Sequence, residues 1–224
     1  MMKFATLAFL ALVGISSAFG AGFTNLCNTG VIGTCIGATG VGSGLTPGGS
    51  PEQHWTLTGG AQVPTNVNIP APPWLSNGPD SRWISNTLTP LGGSPGGSYT
   101  YVLQFMVGSL ADLNSGVING RYASDNNTTG VLLNGTAVAG FPFNSSGSPG
   151  FTTWTPFTIS NGFQTGTNTL TWTVANGGFD PTGLRVEFTN SSIGDNVPEP
   201  STILLGGLGL VGLGLARRRR RVMR

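Results

Sequence analysis

Through the middle of the chain, hydrophobic and polar residues alternate with a period of two. Over residues 168–176, Leu170, Trp172 and Val174 alternate with Thr169, Thr171 and Thr173, the pattern of a strand with one dry face. Residues 184–188 repeat it, with Leu184, Val186 and Phe188 on the apolar side and Arg185 and Glu187 on the polar side. Residues 99–107 are apolar on both faces apart from Thr100 and Gln104, which predicts a central strand packed on both sides. Asn134-Gly135 stands between two apolar arms and predicts a hairpin, because both residues tolerate positive φ. Further strands are predicted over 53–58, 116–121 and 151–159; Pro156 in the last cannot donate to a ladder and marks an edge or a bulge. Trp172 and Trp55 point inward by alternation. No stretch between residues 21 and 200 keeps a 3.6-residue period for three turns. The fold class expected is all-β, a jelly roll or β-sandwich over residues 53–190. Residues 21–52 and 59–80, rich in Gly, Pro, Thr and Asn, read as long covering loops, and residues 191–196 as a spacer.

The two ends follow other rules. Lys3 precedes an apolar run over 4–15 and then small residues over 16–21, which predicts a signal-peptide helix over 1–20, cut after Gly20 or Ala18 by signal peptidase. Near the other end, Pro198-Glu199-Pro200 precedes an uncharged stretch over 201–216, followed directly by Arg217, Arg218, Arg219, Arg220 and Arg221. As a helix this stretch is roughly 24 Å long, slightly less than the hydrocarbon core, and snorkelling arginines and local thinning close the gap. Five arginines resist translocation, so they predict a cytoplasmic anchor, with the body on the periplasmic side of the inner membrane. The glycines of this stretch contain no GxxxG spacing, so no helix dimer is expected.

Charge changes the picture of partners. The formal net charge is +2, with 37 Gly and 15 Pro among 224 residues. Between residues 21 and 200, however, only Arg82, Arg121 and Arg185 face all eight acidic residues. An acidic body with three dispersed arginines offers no basic stripe, so nucleic-acid binding is not expected.

Pro198-Glu199-Pro200, one glycine-rich hydrophobic helix and a terminal arginine cluster, over residues 197–224, resemble the PEP-CTERM protein-sorting signal of exopolysaccharide-producing Gram-negative bacteria, a tail also described as the C-terminal domain of ice-binding proteins. The resemblance implies recognition by an exosortase, a membrane cysteine transpeptidase. That enzyme would cut near Pro198, Glu199 and Pro200 and deliver the body to the cell surface or the medium. The body also resembles galactose-binding-like jelly rolls at Ser81-Arg82-Trp83-Ile84, Ala123-Ser124-Asp125-Asn126, Leu132-Leu133-Asn134-Gly135, Gly166-Thr167-Asn168-Thr169-Leu170 and Asn176 with Pro181-Thr182-Gly183-Leu184. These are turn and strand-edge residues, so that likeness bears on fold and not on activity.

Candidate chemistry is sparse. Cys27 and Cys35 are the only cysteines, and an oxidising compartment favours a small disulfide loop over two free thiols. With His54 distant in sequence, they do not suggest a zinc site. His54 is the only candidate base for a nucleophilic triad, and no Gly-x-Ser-x-Gly elbow accompanies it. Glu52, Asp80, Asp112, Asp125, Asp180, Glu187 and Asp195 read as turn or solvent-face carboxylates, and Asp125 with Asn126 and Asn127 as a solvated loop rather than a calcium site. Neither catalysis nor a cofactor or metal is expected. Trp74 and Trp83, in or beside a proline-rich loop, are expected first to pack in the core or clamp the loop, and are otherwise the candidates for stacking on a sugar ring. The threonine run over 169–173 resembles the ladders of ice-binding surfaces, but one run is not an array, and outward threonine suits any half-exposed strand. Two readings follow: a non-enzymatic surface or matrix protein, and a carbohydrate-binding module engaging exopolysaccharide.

Overall fold

A computed structural model describes residues 22–58, 64–67, 70, 72–87, 93–143 and 150–195. The expected signal peptide, membrane span and arginine cluster lie outside these residues. Among the described residues no helix is long and apolar enough to cross a membrane.

The described strands are β1 (Phe23–Thr24), β2 (Val31–Ile32), β3 (Gly44–Leu45), β4 (Trp55–Thr58), β5 (Thr65–Asn66), β6 (Ile84–Ser85), β7 (Gly97–Val107), β8 (Ala111–Asp125), β9 (Thr128–Leu133), β10 (Thr136–Ala137), β11 (Thr155–Ile159), β12 (Gly166–Asn176), β13 (Gly183–Phe188) and β14 (Ser192–Asp195). One sheet runs β1-β7-β12-β9-β10, with β4 also paired to β7; the other runs β11-β8-β13-β6-β5, with β14 also paired to β8. β2 and β3 form a separate ribbon. The longer strands β7, β8, β9, β11, β12 and β13 fall alternately in the first and second sheets, and the result is a β-sandwich of the jelly-roll type.

The inward residues of both sheets form one core. Trp172 on β12 lies with its ring centroid 5.0 Å from Tyr122, 5.0 Å from Phe141 and 5.3 Å from Phe157, all edge-on, an arrangement that suits the ring quadrupoles. Its indole nitrogen donates to Thr128 Oγ1 at 3.0 Å, so the polar end of this buried ring is satisfied. Trp55 is equally buried. Asn134 and Gly135 take φ of 52° and 79° and close the β9–β10 hairpin, where Thr136 faces Leu133. Pro156 sits on β11, the outer strand of its sheet, where a missing donor harms no ladder.

Three expectations need correction. Residues 99–107 are not packed on both faces: β7 alternates, with Thr100 and Val102 half-exposed and Gln104 and Met106 exposed. That outer face has no layer over it among the described residues. β13, in contrast, is buried throughout, Arg185 and Glu187 included, because the chain around residues 74–83 and Trp154 cover its outer face. Finally, residues 192–195 are not a spacer but a strand, with Ser192 opposite Val117 and Asp195 opposite Ala111 on β8.

Candidate functional site

The outer face of the second sheet carries a buried network of ion pairs. Arg185 and Glu187 lie two residues apart on β13 and so point the same way. Glu187 Oε2 receives Arg121 Nε at 2.7 Å, and its Oε1 receives Arg185 Nη2 at 3.0 Å and the Ser81 hydroxyl at 2.7 Å. Arg185 Nε donates to Ser81 Oγ at 2.6 Å and Nη1 to the Ser76 carbonyl. Gly78 admits this guanidinium, since a Cβ there would stand 2.5 Å from Arg185 Nη2. The Trp154 ring takes both guanidinium groups, at 4.5 Å from Arg121 and 4.6 Å from Arg185, a cation–π arrangement. Burial pulls the Arg185 pKa below its ordinary value, and the Glu187 charge opposes that pull. Arg185 and Glu187 are thus satisfied inside the fold, while Arg121, 44% exposed at its side chain, closes the network at the surface.

Beside this network, Trp74 and Trp83 form a second small core with Val67 and Ala123, and Leu75, Phe151 and Trp154 pack against it. The two indoles stack on each other with centroids 4.3 Å apart, and they are 7% and 0% exposed. Their nitrogens donate to Asp125 Oδ2 at 2.7 Å and to the Leu75 carbonyl at 2.7 Å. Of the two roles open to Trp74 and Trp83, the rings take loop-clamp packing: they hold a loop onto the sheet and offer no open face for a sugar. Asp125 is not a solvated loop residue either. Burial raises its pKa to about 6, assisted by the Asp180 charge and opposed by the Trp74 hydrogen bond.

The third cluster joins residues far apart in the chain. Cys27 and Cys35 are bonded, with S–S 2.09 Å, and a ligand atom of His54 lies with both sulfurs within one 4.8 Å span. The premise that His54 is distant holds along the chain and fails in space. Glu52 makes the junction: its Oε2 accepts from Gly30 N at 3.0 Å and its Oε1 from His54 N at 3.3 Å. Burial pushes the Glu52 carboxyl up to about 7, against the lowering effect of these amides. Burial also lowers the His54 pKa, while its contact with the Gly33 backbone raises it. Of the acids read as solvent-facing, Glu52, Asp125 and Glu187 are thus buried and tied to named partners.

The outer face of the first sheet is the opposite of these closed clusters. Register aligns Thr58, Thr100 and Thr173 across β4, β7 and β12, and aligns Thr56, Val102, Thr171 and Leu132 across β4, β7, β12 and β9. Gln104 faces Thr169, and Met106 faces Thr167. These positions carry no charge, and all are half or fully exposed. Threonines on separate strands become rows only through pairing register, which no single run reveals.

The body is therefore a jelly-roll sandwich whose second sheet has a charged outer face covered over β13, and whose first sheet has an open, uncharged one. Residues 196–221 match the PEP-CTERM protein-sorting motif, which implies exosortase-dependent sorting from a membrane-anchored precursor. A solved family 35 carbohydrate-binding module from an environmental isolate is similar at 12% identity and a TM-score of 0.33, over 66% of this chain and 98% of that one. No curated protein matches the chain.

Proposed function

We propose that the protein is a non-catalytic component of the cell surface or exopolysaccharide matrix. Signal peptidase removes residues 1–20, and residues 201–216 hold the precursor in the inner membrane with the sandwich on the periplasmic side and Arg217–Arg221 in the cytoplasm. An exosortase then cuts near Pro198, Glu199 and Pro200 and frees the body. The sorting motif at residues 196–221 carries this reading. Mass spectrometry of the native protein tests it: the expected C-terminus lies near Pro198, and a chain still carrying Arg217 to Arg224 overturns the processing step.

A second reading, capture of a neutral polysaccharide, is favoured by the uncharged hydroxyl rows on the outer face of the first sheet. Such a face places methyls and hydroxyls against a sugar chain without desolvating a charge. Thr100→Lys with Thr173→Lys is expected to abolish retention on the native exopolysaccharide without altering the thermal midpoint by more than a few degrees. Unchanged retention overturns this reading and leaves the sorting reading intact.

A further inference from the structure

We propose that Cys27, Cys35 and His54 form a redox-gated site for copper(I), closed while the cysteines are joined and open once a dithiol has reduced them. The three donors already converge within 4.8 Å. What makes them a site is that their backbones are held independently of the sulfur–sulfur bond. The Cys27 carbonyl accepts the Trp55 indole N–H at 3.0 Å, and the Cys35 carbonyl accepts Asn25 N at 2.7 Å. Glu52 ties Gly30 to His54, and the β2–β3 pairing closes the stretch between the cysteines and residue 45. Reduction therefore leaves two thiols facing each other below the imidazole. His54 Nε2 is buried with no hydrogen-bond partner, an arrangement that costs stability unless the atom has another use. The ring's contact with the Gly33 backbone resembles the second-shell hydrogen bond that orients a metal-binding histidine. His54 is half-buried, whereas Cys27 and Cys35 lie inside the protein.

The donor set chooses the ion. Two thiolates are soft and the imidazole borderline, and three such donors satisfy copper(I), whereas structural zinc requires a fourth. The chemistry balances: a dithiol becomes a disulfide as the Cys27–Cys35 bond becomes two thiols, and one copper(I) ion then displaces their two protons. His54 contributes a lone pair and releases no proton.

The test uses the full chain in detergent, reduced with a dithiol, desalted without oxygen and titrated with copper(I) against a chromophoric copper(I) chelator. Expected are one ion per reduced chain, none per oxidised chain, and none for Cys27→Ser with Cys35→Ser. His54→Ala, and His54→Gln, which preserves side-chain volume, should each weaken binding by at least about tenfold. X-ray absorption should find two sulfurs and one nitrogen around copper in the wild type and lose the nitrogen in either histidine variant. Circular dichroism in the tryptophan region confirms that the variants are folded. The proposal is overturned if the reduced chain takes no copper from the chelator, if both folded histidine variants bind as the wild type does, or if zinc(II) binds more tightly than copper(I) with four ligands.

Discussion

β12 and β13 carry the same alternation and end in opposite surroundings. On β12 the polar partners of Leu170, Trp172 and Val174 are half-exposed threonines, whereas on β13 the partners of Leu184, Val186 and Phe188 are a buried arginine and a buried glutamate. Alternation reports which face meets the core between the sheets. It is silent on the other face, which a loop can cover as readily as water. Where the loop covers it, charges must find partners within the protein; where water covers it, threonine needs none. Glu187 and Thr171 thus hold equivalent pattern positions and should differ most in what their loss costs.

The sharpest way to break the comparison is to truncate both. Glu187→Ala strands Arg185, which is 3% exposed, and removes the acceptor that joins it to Arg121 and Ser81. A loss of about 3–5 kcal/mol is expected in urea unfolding, the range for breaking a buried ion pair. A loss below about 1 kcal/mol would mean that the network is wet and the contrast between the faces illusory.

A smaller effect, and one with a pH signature, is expected at Asp125, on the closed side. Its folded pKa is about 6 against an ordinary 3.8, so the folded state holds the proton more tightly. The stability associated with this proton is complete below about pH 3.8 and declines as pH rises through about 6. Asp125→Asn keeps an oxygen for the Trp74 N–H and removes the titration. The variant should gain on the wild type by roughly 1–3 kcal/mol between pH 4 and pH 7. Equal gaps at the two pH values would show that Asp125 is not desolvated.

Least of all is expected on the open face. Thr171→Ala leaves no charge or buried polar atom unpartnered, so its cost should stay within about 0.5 kcal/mol, as for ordinary surface positions. A cost comparable to that of Glu187→Ala would mean that another layer covers this face.

The core of the fold was readable in the chain because its signals are local: the period-two runs of β12 and β13, the Asn134-Gly135 turn and Pro156 on an outer strand. The sorting motif was readable for the same reason, since order and spacing within a short tail carry it. What escaped depends on long-range placement. The burial of Trp74 and Trp83 comes from a loop folding back onto β8 and β13, and the nearness of His54 to Cys27 and Cys35 from Glu52 bridging two segments that share no pattern. The threonine rows arise from register among β4, β7 and β12. β14 escaped because it is short and lies at the end of the body, in Ser-Ile-Gly-Asp, where glycine and a lone isoleucine carry little strand signal.

β14 also sets how the protein bears a mechanical load. In the membrane-anchored precursor, force transmitted from the tail enters the body at residue 195, which pairs with Ala111 at the start of β8. β14 is short, yet its Ile193 lies in the main core at 7% exposure, so opening the strand exposes apolar surface as well as breaking its pairing with β8. Under tension β14 is the first strand loaded, and the burial of Ile193 beside β8 sets the resistance it offers.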